Sequence, residues 1–156
     1  MRAVVQRVAG AEVKVGADII AGIDSGLLIY LGVAPTDSPE VAHHLAARLA
    51  QLRIFPDAEG RMNLSLLDCG GQALVVSQFT LFADNRRGHR PAFTAAGQPE
   101  QARRLCQLFG EELRRLGVSR VSEGRFGAHM VVSSANDGPV TIVASSAEEP
   151  WPADCG

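Results

Sequence analysis

The chain has 156 residues, 46% hydrophobic and 21% charged, with a formal net charge of -2 at pH 7. That length supports one substantial core, and the composition excludes an intrinsically disordered chain. The charge gives no global attraction to nucleic acid, so any such contact must come from a local patch.

Residues 2–9 alternate loosely, with Ala3, Val5 and Arg7 on one face and Val4, Gln6 and Val8 on the other. After Gly10, residues 11–15 read as a half-exposed strand, and Gly16-Ala17-Asp18 as a turn before Ile19-Ile20. The continuous apolar run 26–33 predicts a central strand, and the close spacing of these segments predicts antiparallel hairpins. Ser38, Pro39 and Glu40 mark a helix start, followed by a stripe of Val41, Leu45, Leu49 and Leu52. His43 and His44 are adjacent and do not share a helix face, so they predict solvated side chains rather than a chelating pair.

Residues 53–66 read as a short hairpin around 57–60. Gly70-Gly71 then launches a strand over 74–81, apolar at Leu74-Val75-Val76 and polar at Ser77, Gln78 and Thr80. Polar groups emerging from a buried strand need partners, or a ligand to meet. The loop 84–91 carries Arg86, Arg87, Arg90 and His89; it reads either as solvated or as a phosphate contact, since arginine forks match phosphate oxygens. A second helix is predicted from about 99 to 116, with Arg103, Arg104, Glu111, Glu112, Arg114 and Arg115 on a solvated face. Two more strands, 127–133 and 139–144, are predicted around a turn at Asn136-Asp137-Gly138. The whole predicts a single domain of the α/β class, α+β in type. Mainly antiparallel strands would form a curved sheet or barrel-like core with two principal helices.

Enzyme signatures of the familiar kinds are missing: there is no G-x-S-x-G elbow, P-loop, H-E-x-x-H or C-x-x-C pair. Ser77 and Thr80 are hydroxyl nucleophile candidates, but none of the four histidines stands in a spacing that implies an oriented base. A triad gathered from distant parts of the chain is compatible with the sequence. Backbone N–H groups around 77–80 are the other option, as donors to a developing oxyanion. Cys69, Cys106 and Cys155 are widely spaced in no metal-like pattern, which points to a reducing cytoplasm with neither metal nor cofactor. The start of the chain reads as a strand rather than a secretory leader, and no run is long enough to span a bilayer.

Ser77-Gln78-Phe79-Thr80-Leu81 together with Asn136-Asp137-Gly138-Pro139-Val140-Thr141 resembles the bacterial-type D-aminoacyl-tRNA deacylases. Gln6-Arg7-Val8, Leu52-Arg53-Ile54-Phe55, Met62-Asn63-Leu64-Ser65-Leu66 and Phe126-Gly127-Ala128 stand in that family's order. The resemblance extends over 1–146 as one domain and leaves 147–156, with the lone Trp151, as a peripheral tail. It implies a homodimeric editing enzyme that hydrolyses the ester of D-aminoacyl-tRNA and of glycine misloaded on alanine tRNA. It further implies that a cis Gly138-Pro139 is inserted against 77–80 of the partner subunit, with Arg7 bracing it and Phe126, Ala128 and Met130 lining the pocket. Ser77, Gln78, Phe79 and Thr80 would then position the substrate while the terminal ribose 2′-OH of the tRNA assists the chemistry. Rigid carbonyls beside the α-carbon would exclude an L side chain by collision and admit glycine. His129 and Ala92 depart from the family pattern, which bears on fine specificity. Two other readings stay open at this point: a Ser or Thr esterase, and an RNA-binding module without turnover.

Overall fold

The structure is a computed structural model that describes residues 1–86 and 88–146. The tail expected at 147–156 lies outside the described residues. The organising strand is β1 (Arg2–Val15), fourteen residues long. Its first half pairs with β3 (Gly26–Gly32), its second half with β2 (Asp18–Ile23), and β8 (Val131–Ser145) runs antiparallel along its far edge. One strand thus serves three neighbours, changing partner near Ala9-Gly10, which gives a strongly curved, nearly closed sheet in the order β2-β1-β3-β6-β7.

The antiparallel expectation holds for β1, β2, β3 and β8, whereas β6 (Gln72–Ser77) and β7 (Val121–Glu123) enter in parallel. Parallel neighbours need long crossovers. The two helices supply them, with α1 (Pro39–Ala50) between β3 and β6 and α2 (Pro99–Arg115) between β6 and β7. Ala73 and Val75 of β6 join a core with Leu45 and Leu49 of α1 and Leu105, Phe109 and Leu113 of α2. Leu74 and Val76 point the other way, to a second core with Val8, Val13, Ile23 and Leu28. Burial on both faces is the physical reason for the unbroken apolar run. The small ladder of β4 (Phe55–Pro56) and β5 (Met62–Leu64) confirms the hairpin read at 53–66.

Three expectations are corrected. The strand expected over 74–81 ends at Ser77, and Phe79–Phe82 is a 3-10 helix closed by Leu81 N–H to Gln78 O and Ala83 N–H to Thr80 O. The hairpin expected around 136–138 is a bulge within one strand. Residues 131–135 and 141–145 both pair antiparallel with β1, so the chain leaves and rejoins the same edge without reversing, and 127–130 precedes the strand. Finally, Glu112 does not belong to the solvated face expected of α2, whereas His43 stays exposed as expected. Glu112 is buried between the helices, accepting from Arg115 at 2.5 and 2.7 Å, and His43 Nδ1 lies 3.1 Å from it. A carboxylate that leaves water requires such partners.

Candidate active site

A cavity of about 320 Å³ opens where β6 gives way to the 3-10 helix. Ser77, Gln78 and Phe79 form one wall, Phe126 to Met130 another, and Ala102 and Cys106 of α2 a third, with Leu31 and Val33 at the base. The Gln78 N–H donates to Leu31 O at 2.8 Å and continues the β3–β6 ladder by one bond. Phe79 and Thr80 then open the 3-10 helix, and the first N–H groups of such a turn have no acceptor within it. The donors foreseen on a strand end thus belong to a helical turn. Gln78 donates its side-chain amide to the Thr80 hydroxyl, which faces solvent rather than the cavity.

The opposite wall is held by backbone and by packing. Gly124 N–H donates to Val75 O at 2.9 Å, and Met130 Sδ lies so close to Gly124 that a Cβ there would stand 2.8 Å from it. Phe126 lies under the Arg103 guanidinium, whose carbon is 4.9 Å from the ring centroid. Phe79 is exposed at the mouth and meets Phe93 edge-on at 5.0 Å. Phe93 closes the loop that begins at Asp84, where Asp84 and Ala92 exchange backbone bonds of 2.8 and 2.9 Å.

The groups that could act as nucleophiles lack the means. Ser77 and His129 line the same cavity, yet no hydrogen bond joins them among the described residues. Burial, with Glu123 nearby, pushes the Cys106 thiol up to about 12, so it is protonated at neutral pH. Cys106, Leu31, Val33 and Ala102 were not singled out from the sequence. The i, i+4 spacing of Ala102 and Cys106 was the available signal for a shared helix face.

Arg7 lies beneath the bulge of β8. Its Nε is 3.1 Å from Asp137 O and 3.0 Å from Asp137 Oδ2, and its Nη1 donates to Ile54 O at 2.5 Å. Asn136 Oδ1 accepts from Val140 N–H at 2.9 Å and closes the loop from within. Gly138 has φ +132, and its bond to Pro139 is cis. Neither residue lines the cavity, so the chain by itself does not bring Gly138-Pro139 to Ser77. Of the loop arginines, Arg86 closes its fork on Asp84 at 2.7 and 2.9 Å and holds that carboxyl far below its usual range. Arg90 is exposed, and Arg87 lies outside the described residues.

The model of the family described as D-Tyr-tRNA(Tyr) deacylase matches residues 4–145. A D-aminoacyl-tRNA deacylase of Roseiflexus sp. (strain RS-1) is 60% identical over 147 residues, 94% of each chain. Among solved structures, one titled c-Myc DNA Unwinding Element Binding Protein superposes with a TM-score of 0.88 at 38% identity, covering 97% of this chain and all of that one. A probable eukaryotic D-amino acid tRNA deacylase shares the fold at TM-score 0.81 and 19% identity, over 92% of this chain and 97% of that one. The chain belongs to the D-Tyr-tRNA(Tyr) deacylase family, hydrolases of the aminoacyl-tRNA ester.

Proposed function

We propose that this chain hydrolyses the ester between a D-amino acid, or glycine, and the 3′ end of tRNA, as a homodimer in the cytoplasm. The observation that carries the reading is the division of the site. A cavity rimmed by Ser77, Gln78 and Phe79 lacks a paired acid and base, while Gly138-Pro139 stands on a braced bulge away from it. A second copy would bring the two together. The Phe79 and Thr80 N–H groups would meet the oxyanion, and the partner's Gly138 and Pro139 would face the α-carbon, where an L side chain would collide. The substrate's own 2′-OH, held at attack distance, would supply what the protein lacks; such proximity can contribute roughly 7–11 kcal/mol. Phe126, Ala128 and Met130 would bound the pocket. Of the loop arginines put forward for the tRNA phosphates, the exposed Arg90 is the better placed, since Arg86 would first have to leave Asp84. No helix among the described residues is long and apolar enough to cross a membrane.

The test uses D-tyrosyl-tRNA and L-tyrosyl-tRNA at one enzyme concentration. Release from the D ester alone is expected, and equal cleavage of both would sink the proposal. A D-tyrosyl-tRNA ending in 2′-deoxyadenosine should react far more slowly. Undiminished turnover on it would return the chemistry to a protein nucleophile.

A further inference from the structure

A second, smaller cavity of about 150 Å³ adjoins the first, and the two share Ser77, Cys106 and Phe126 as walls. Arg103 lines the smaller one, and no other arginine of the described residues lines either. Its helix position, outside the buried stripe of α2, gave it the reading of a solvated charge. Arg103 is indeed exposed, and the fold also lays its guanidinium over the Phe126 ring. A guanidinium held over an aromatic ring still has N–H groups to offer a ligand. Three other arginines of this region are occupied, Arg86 on Asp84, Arg114 on Glu123 and Arg115 on Glu112, while Arg104 and Arg125 line neither cavity. Arg103 is exposed and has no carboxylate partner among the described residues. Glu123 also borders the small cavity, but Arg114 at 2.6 Å balances its charge.

A fixed, unspent arginine fork one wall away from Ser77 is suited to a phosphate. We propose that Arg103 binds the 5′-phosphate of the terminal nucleotide, one ribose away from the ester held at 77–79. This rests on reading the main cavity as an aminoacyl-adenosine site and adds a phosphate subsite to it. Arg103 would set how far the ribose enters, because the ring that fixes the fork also walls the ester's cavity.

The test measures binding of 3′-deoxy-3′-(D-alanylamido)adenosine with and without a 5′-phosphate. These amides resist hydrolysis, so the result is independent of turnover, and failure of D-ester cleavage would leave it standing. The wild-type protein should prefer the phosphorylated probe by roughly ten- to a hundred-fold, the usual range for a charge-assisted contact. In Arg103→Gln that ratio should collapse to near one, while the same change at Arg104, also exposed on α2, should preserve it. A wild-type ratio near one would overturn the proposal. So would an unchanged ratio in Arg103→Gln, an equal weakening of both probes in that variant, or an equal collapse in Arg104→Gln.

Discussion

Arg7 of β1 stands in the gap left where β8 swings away, and its guanidinium spans Asp137 on one side and Ile54 O on the other. The register makes this a structural necessity, because Gln6 faces Thr141 and Val8 faces Asn136. Four residues of β8 therefore oppose one residue of β1. Replacing Arg7 with Met would leave the part-buried Ile54 carbonyl short of a donor, at a cost of about 1–3 kcal/mol, and would free the exposed Asp137. The expected outcome is a lower urea midpoint with unchanged m-value, and a fall in D-ester hydrolysis larger than the loss of folded protein. Equal losses would assign Arg7 to stability alone.

Gly32 controls the site without lining it. A Cβ at this position would stand 2.9 Å from Gln78 O and 3.2 Å from Leu81 Cβ. Backbone cannot yield as a side-chain tip can, so Gly32→Ala should displace the turn that presents the Phe79 and Thr80 N–H groups. A fall in kcat of at least tenfold with a folded circular dichroism spectrum is expected. Full activity would show that the turn tolerates the shift.

The hydroxyls make the opposite prediction. Among the described residues, the Thr80 hydroxyl bonds to the Gln78 side chain and does not line the cavity, and the Ser77 hydroxyl has no hydrogen-bonded base. Ser77→Ala and Thr80→Ala should each lose less than about tenfold in kcat, whereas loss of a true nucleophile costs several orders of magnitude. Single-turnover rates would separate the two cases.

Acid should loosen the helix pair. Arg115 first, and His43 after it, hold the Glu112 carboxyl at about 2, against an ordinary 4.5. A depressed pKa stabilises the folded state fully above 4.5, and that contribution is lost as pH falls toward 2. Urea midpoints at pH 6, 4 and 3 should therefore decline more steeply in the wild type than in Glu112→Gln. Parallel declines would show that other carboxylates govern the acid limb.

Much of this was legible because its causes are local. The Ser38 side chain caps Val41 N–H at 3.4 Å ahead of Pro39, and α2 runs from Pro99 to Arg115 as its stripe required. The bulge was not legible, since Asn136-Asp137-Gly138 carries the same turn chemistry whether the chain reverses or continues. Only distant pairing with β1 decides between them. The strand β7 was missed for its length of three residues. Within the site, the polar end of β6 was visible in the sequence, and the fold brings it beside Phe126, Ala128 and Met130. The stacking of Arg103 was invisible, because helical periodicity places it outside the stripe and says nothing of Phe126, more than twenty residues on.

The path of β8 also makes the segment 137–140 a replaceable cassette. Both flanks are zipped to the same strand, at Asn136 opposite Val8 and at Thr141 opposite Gln6. One residue added between those flanks can be absorbed by the loop, leaving every cross-strand pair in place. The same insertion at 133 would turn the side chains from 131 up to that point onto the wrong face of the sheet. Chain length is thus free to vary at the tip that would meet the substrate and held fixed a few residues to either side, so new selectivities could be grafted there without redesigning the sheet.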